Sequence, residues 1–171
     1  MATTLTSSVQ LMLRALFANP AIGVAISQAT IDRSTVISLA DGFGANQCDR
    51  VYSETRTLAA SASVTLDLAG VLLDAFGSVI TFARIKAIII AALAANTNNV
   101  VMGAAAGTQF LGPLGSATDT VHVRPGGILA LVAPDVTAWP VGAGATDLLK
   151  FTNSAAGTGV TYDLILLGAS A

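Results

Sequence analysis

The stretch from Thr120 to Ala169 constrains the fold of this chain more than any other part of the sequence. It consists of short apolar runs separated by Gly, Pro, Asn and Asp. Near its end, an alternating pattern puts four apolar residues on one face, namely Val160, Tyr162, Leu164 and Leu166. A period of two is typical of a strand that buries one face, so the stretch predicts the end of an antiparallel β-domain.

The opposite face of the same pattern is also apolar at Ile165 and Leu167. One face can pack against the core of the domain, and the second face then needs a cover of its own. We expect that cover to be a sister subunit, which would make the stretch a self-association module.

The composition indicates a large contact surface. Charged residues make up 11% of the 171 residues and hydrophobic residues 53%, whereas about 25% of an average soluble chain is charged. The longest apolar run, Ala87 to Ala95, is short of the roughly 20 residues that a membrane-spanning helix needs. Met1 to Ser8 contains no Lys or Arg, so we also expect no secretory signal. We therefore expect subunit contacts in an oligomer, and not a membrane, to cover the excess apolar surface.

Charge and cysteine content bear on nucleic-acid binding and on disulfide bonding. The net charge of -2 offers no basic face for nucleic acid, so a nucleic-acid partner is not expected. Cys48 is the only cysteine, which leaves no intrachain disulfide. We interpret Cys48 as a small, semi-buried residue.

The sequence contains no recognisable catalytic arrangement. His122 is the only histidine and lies between two valines on a predicted strand. With one His, one Cys and scattered acidic residues, we predict no catalytic residue, no metal site and no cofactor. Trp139 and Tyr162 could stack on a sugar, but a core or interface role is favoured for both. An enzyme is the least favoured class.

A segment near the N-terminus has the spacing of an amphipathic helix. Behind a possible Ser cap, its apolar residues fall at i, i+3, i+4, i+7 and i+8, and they are Val9, Met12, Leu13, Leu16 and Phe17. Asn19-Pro20 predicts the end of this helix. A helix of about eleven residues is marginal alone in water, so its apolar stripe is expected to dock on the chain's own β-domain or on a neighbouring subunit.

The rest of the chain predicts an all-β fold. We expect residues 1–45 to form an arm with the short helix, and residues 46–171 to form an antiparallel, jelly-roll-like β-sandwich with about eight or nine short strands. Val79 to Ala95 predicts one or two strands packed on both faces. Arg124 to Gly127 predicts a type II turn.

Two polar or small-residue stretches suggest contacts. One strand carries a row of long polar side chains, Arg50, Tyr52, Glu54 and Arg56, which predicts a solvated face or an intersubunit salt-bridge strip. The loop from Gly103 to Asp119 is rich in small residues and holds Phe110 and Leu111 at its centre. Exposed apolar residues in such a loop predict a contact, and with Trp139 they complete the candidate interface residues.

Four segments together resemble a family of small structural proteins of tailed bacteriophages. They are LADGFGANQCDRVYSETRTLAASASVTLDLAG (Leu39 to Gly70), FARIKAIIIAA (Phe82 to Ala92), VRPGGILALVAPD (Val123 to Asp135) and DLLKFTNSAAGTGVTYDLILLGAS (Asp147 to Ser170). The texture of strands and turns is similar to that of jelly-roll-like capsid decoration, or cement, proteins. The similarity covers about Leu39 to Ser170.

The resemblance implies a homotrimer on the exterior of the virion that clamps adjacent copies of the major capsid protein. It implies synthesis in the cytoplasm of a bacterial host and no catalytic residue. Another virion component, such as a head spike or tail protein, and a carbohydrate- or receptor-binding β-sandwich module are the alternatives. We expect residues 1–45 to reach a second subunit or the capsid lattice while the β-domain forms the trimer.

Overall fold

A computed structural model describes residues 4–19, 27–105 and 107–171, and these residues form antiparallel sheets with no helix among them. In chain order the strands are β1 (Ser7–Asn19), β2 (Ser27–Leu39), β3 (Arg50–Leu58), β4 (Ser63–Asp67), β5 (Leu72–Leu73), β6 (Val79–Ile80), β7 (Arg84–Ala92), β8 (Val100–Gly103), β9 (Thr120–Val123), β10 (Ile128–Val132), β11 (Trp139–Pro140), β12 (Leu148–Asn153) and β13 (Val160–Ala169). The prediction of an all-β antiparallel chain is confirmed.

The predicted N-terminal helix is wrong, because Val9 to Phe17 lies within strand β1. Strands β1 and β2 pair along their whole length in a two-stranded ribbon, from Ser7 opposite Leu39 to Asn19 opposite Ser27. Val9, Leu13 and Phe17 fit a period of two as well as a helical period, whereas Met12 and Leu16 fit only the helical one, and the ladder with β2 supplies the backbone hydrogen bonds. Pro20, which was predicted to stop the helix, lies outside the described residues.

Two larger sheets form the body of the molecule. One sheet has the order β10-β7-β13-β3, with β11 also paired to β7, and the other has the order β4-β12-β8-β9. Their side chains meet in one core, with Ile88 and Leu164 from the first sheet and Met102 and Phe151 from the second. Strands β5 and β6 form a separate small hairpin.

Several local predictions are confirmed. Strand β7 is an inner strand with buried residues on both faces, as predicted for Val79 to Ala95. The turn at Arg124 has a hydrogen bond from Gly127 N to Arg124 O of 2.8 Å, and Gly126 has the positive φ of 71° that a type II turn requires. The loops after β7 and β12 each carry the chain from one sheet to the other.

A β-bulge on β7 marks the end of the five-stranded sheet. Leu167 pairs with Ala87 and Gly168 pairs with Ile85, so Lys86 is the extra residue on β7. The bulge brings the backbone at Gly168 close to Phe82 and Arg84 at the start of β7. A Cβ atom at this position would overlap Phe82 Cδ1 and lie 2.5 Å from Arg84 O.

We expect Gly168→Ala to destabilise the fold by about 1–3 kcal/mol, because the added methyl group overpacks the bulge. Gly70→Ala is the control, since a Cβ at Gly70 has no atom within 4 Å. Denaturant unfolding of both variants would measure the difference. Equal stability of the two variants would contradict the close approach at Gly168.

Candidate interaction surface

The ribbon of β1 and β2, which we call the arm, has two chemically distinct faces. Directly opposed residues share a face in an antiparallel pair, and the pairing assigns them. One face, the apolar face, consists of Val9, Leu11, Leu13, Ala15, Phe17, Ala29, Ile31 and Ile37 together with Thr35 and Arg33. The other face is mixed and mainly polar, with Gln10, Arg14, Asp32 and Ser34 beside Met12, Leu16 and Val36.

Most of the apolar face is open to solvent. Leu11, Leu13 and Phe17 are 71%, 57% and 75% exposed. At about 3.4 Å per residue, each strand of the arm is about 44 Å long, and neither strand pairs with any other described strand. The arm therefore carries a long apolar surface that its own domain does not cover.

The polar face has its own internal contacts. Arg14 Nε and Asp32 Oδ2 form a cross-strand ion pair at 3.1 Å, and Gln10 donates to Ser34 Oγ at 3.5 Å. Both partners of the ion pair are more than half exposed, so its contribution to stability is small. The cross-strand pairs on this face are therefore satisfied within the arm itself.

The base of the arm packs on the outer face of the five-stranded sheet, in a cluster that we call the seam. The seam has a buried centre of Leu39, Cys48, Ala87 and Leu167, with Leu5, Val9, Ile37, Val51, Val132 and Ile165 packed around it. Ser7 Oγ lies 3.2 Å from Cys48 Sγ, and burial raises the pKa of this thiol. The chain's own arm thus covers Leu167, at the position where we expected a sister subunit.

Backbone contacts around Lys86 fix the loops next to the seam. Lys86 is fully buried, and its Nζ donates to Gly44 O at 3.1 Å and to Asp135 O. Asn46 N also donates to Pro134 O at 2.7 Å. Burial lowers the pKa of the Lys86 ammonium, with a further contribution from the charge of Arg84. The bulge at Lys86 therefore ties the loop after β2 to the loop after β10.

The polar row on β3 does not form a solvated face. Tyr52 is buried, Glu54 and Arg56 are half-buried, and they lie on the side of the sheet that packs against the core. Arg56 Nη2 contacts Glu54 Oε2 at 2.8 Å and donates to the Tyr52 hydroxyl at 3.1 Å, and this hydroxyl donates to Glu54. The predicted alternation on β3 is confirmed, but its polar side faces inward, where Tyr52, Glu54 and Arg56 bond one another.

Tyr162 lies beside this polar group, opposite Arg56. Its ring packs on Phe151 with a centroid distance of 5.1 Å, and its hydroxyl makes no hydrogen bond within the described part of the chain. Burial strongly raises the pKa of Tyr162, and it also raises that of Tyr52. A buried Tyr162 and a half-buried Trp139 that packs against the core do not form a sugar-stacking platform.

The predicted interface residues of the N-terminal segment fall in three places. Val9 lies in the seam, while Leu13 and Phe17 lie on the apolar face of the arm. Met12 and Leu16 are 58% and 60% exposed but lie on the polar face. The structure therefore separates residues that the helical pattern had placed on one stripe.

The remaining predicted residues lie far from the arm in sequence and are less exposed. Phe110 is fully buried in the core, because Phe110 N donates to Leu148 O at 2.8 Å and holds the loop against β12. Leu111 is 38% exposed and Trp139 is half-buried. Phe110 is therefore not available to a partner in this conformation.

Sequence reasoning missed Leu11 and Ile31, which belong to the apolar face. A period-two reading of Ser7 to Asn19 would have found Leu11 between Val9 and Leu13. Ile31 is recognisable only from the pairing, since its own strand mixes polar and apolar residues. Its partner across the ribbon is Ala15.

A second exposed apolar patch lies on the hairpin of β5 and β6, where Val71, Leu73, Phe76 and Val79 are each more than half exposed. It borders an open cleft of about 340 Å³ that Leu5, Arg50 and Phe76 help to line.

His122 is exposed on β9. Among the described residues, no three His, Cys, Asp or Glu side chains converge in a way that could hold a metal ion, and no helix could span a membrane.

Comparison with known proteins assigned no family. No protein-family model, curated protein or solved structure matches this chain.

We expect Tyr162→Phe to leave stability unchanged or raise it by about 1 kcal/mol, because it removes a buried hydroxyl without a protein partner. Tyr52→Phe is the matched control and should lower stability by about 1 kcal/mol, since its hydroxyl bonds both Glu54 and Arg56. Chemical denaturation would rank the variants. The opposite ranking would contradict the assigned contacts.

Stability should fall as the pH rises above about 9, where an unfolded thiol ionises. The folded-state pKa values of Cys48, Tyr52 and Tyr162 are raised, so the fold keeps protons that the unfolded chain loses, and it loses stability above the unfolded values. The lowered pKa of Lys86 acts in the opposite direction as the pH approaches its unfolded value. The shift at Tyr162 is the largest of the four, so unfolding midpoints should decrease between pH 9 and pH 11, and less steeply in Tyr162→Phe. A flat profile would contradict this balance.

Proposed function

We propose that this chain is a non-enzymatic structural protein of a bacteriophage virion, which binds the capsid exterior as an oligomer and stabilises it. The observation that carries the proposal is the arm, whose exposed apolar face has no cover in its own domain. Exposed apolar surface of this extent marks an interaction site. An assembly role gives the arm and the low charge content a common physical reason.

The strand order supports a jelly roll. Apart from the arm and the two-residue strands, eight strands remain, and in chain order they lie as 1-8-3-6 in one sheet and 2-7-4-5 in the other. Strand 1 thus pairs with 8, 2 with 7, 3 with 6 and 4 with 5, as in one long antiparallel ribbon wound on itself. Jelly rolls of eight strands are used by viral capsid proteins, lectins and cupins.

The fold alone does not select among these classes. The likeness of Leu39 to Ser170 to decoration proteins points to the virion. The arm adds support, because a protein that joins neighbours needs apolar surface outside its own core. We propose the major capsid protein as the partner and a homotrimer as the assembly.

We expect the purified chain to bind undecorated capsids and to raise the temperature at which they break open. Electron cryomicroscopy of the decorated particles should place the chain over threefold or quasi-threefold axes, because a trimer matches that symmetry. Capsids incubated with buffer alone are the control. A location on the tail, or no binding to capsids, would overturn the decoration role.

A further inference from the structure

The arm as described cannot owe its stability to its own two strands. An isolated two-stranded ribbon is marginally stable at best in water, and stability needs further strands or a packed layer on a hydrophobic face. Beyond Val9 and Ile37, the apolar face of the arm has no such layer within the described residues. Its unpaired edges are also long, which proteins normally cover. The apolar face therefore needs a cover from outside its own chain.

The seam shows what the apolar face of the arm binds. Val9 and Ile37 are the first pair of that face, and they pack against the buried cluster that includes Ala87 and Leu167 of the five-stranded sheet. Aliphatic side chains of a ribbon therefore already lie on aliphatic side chains of the sheet at this point. The rest of the apolar face has the same chemistry and lacks a sheet to lie on.

The outer face of the same sheet continues beyond the seam. We call this continuation the outer strip, and it consists of Ile89, Ala91, Ile128 and Ala130. These residues lie on the same side of the sheet as Ala87 and Val132, because they are two or four positions away along the same strands. Ile128 is 73% exposed, Ala130 is exposed, and Ile89 and Ala91 are half-buried. The chain thus presents an uncovered apolar ribbon and an uncovered apolar sheet face.

Charges on the two surfaces are complementary. Arg33 is the one charged residue of the apolar face, opposite Leu13, and it forms no ion pair within the described ranges. Asp163 lies on the outer face of the sheet beside Ala91, accepts a hydrogen bond from Thr55 Oγ1 at 2.5 Å, and forms no ion pair among the residues that the structure describes. A guanidinium placed near this carboxylate would find a charged acceptor at the border of the outer strip.

We propose that the apolar face of the arm binds the outer strip of a second copy of this chain. Each copy offers one arm and one outer strip, so the contact is heterologous and closes into a ring when the rotation between copies permits. The inference rests on the oligomeric part of the proposed function and does not require the capsid. It assigns the arm to subunit association rather than to the capsid lattice.

The sharpest test compares two leucines on opposite faces of β1. Leu13 and Leu16 are 57% and 60% exposed, but only Leu13 lies on the apolar face. The mass of the full chain in solution should be that of an oligomer, and Leu13→Asp should weaken association at least about ten-fold, because burying a carboxylate against aliphatic side chains is costly. Leu16→Asp should keep the oligomer. Equal effects of the two substitutions, or no effect of either, would overturn the proposal.

The receiving surface is tested separately. Ile128→Asp should weaken association as Leu13→Asp does, whereas Phe76→Asp, on the hairpin patch, should not. Arg33→Glu and Asp163→Arg should each weaken association, and the double variant should recover at least part of the loss. A double variant as weak as the single ones would exclude the contact between Arg33 and Asp163, and an unchanged association of Ile128→Asp would exclude the outer strip as the surface that receives the arm.

A shortened arm keeps the test valid if a point variant misfolds. Val9 and Ile37 are directly opposed, so replacing residues 10–36 by Asn-Gly joins them through a two-residue turn and keeps the seam. This variant should be monomeric, with the thermal unfolding of the β-domain retained. An oligomer of unchanged mass would overturn the proposal.

The capsid is the alternative partner of the arm. If the full chain is monomeric in solution and Leu13→Asp abolishes only its binding to undecorated capsids, the proposed contact between copies is wrong and the decoration role survives. If the variants dissociate as expected but no copy binds capsids, the contact between copies holds and the decoration role fails.

Discussion

The need to cover both faces of β13 organises the whole structure. Its inner face carries Tyr162, Leu164 and Leu166 into the core between the two sheets, and its outer face carries Ile165 and Leu167. A strand that is apolar on both sides is stable only between two layers. The four-stranded sheet provides the inner layer, and the base of the arm provides the outer one at the seam.

The seam also determines how the arm is held. Strand β2 ends at Leu39 in the seam, and the following loop is held by Lys86, which donates to Gly44 O. Leu5 N donates to Asp41 Oδ1 at 3.1 Å, so the start of the arm is bound to the same loop. These contacts fix the base of the arm from both of its strands. Fixing the base reduces the entropy that a partner would have to remove when it orders the arm.

The outer face of the sheet has a gradient from apolar to polar that fits a limited contact area. Across the sheet, the row of Val132, Ala87, Leu167 and Val51 lies in the seam, and the row with Ile128 and Ala91 ends at Asp163 and Thr55. The far end is polar at Thr57 and Thr161, whose hydroxyls bond each other at 2.8 Å. The uncovered apolar area is therefore bounded by the seam on one side and by polar residues on the other.

Local sequence pattern was sufficient to predict secondary structure where it fitted only one kind of element. The period of two from Val160 to Leu167 and the Pro-Gly turn after Arg124 depend on side-chain alternation and on φ angles, which act over a few residues, and both are present in the structure. The segment from Val9 to Phe17 satisfied two periods at once, and only pairing with Ser27–Leu39 decides between them. Phe110 and the polar row on β3 depend on contacts with residues far away in the chain, such as the bond from Phe110 N to Leu148 O. The sequence by itself therefore determined the β-class, the turns and the apolar surplus, while the tertiary structure decided which apolar residues are buried and which face of the arm is left open, because burial depends on what lies across the sheet.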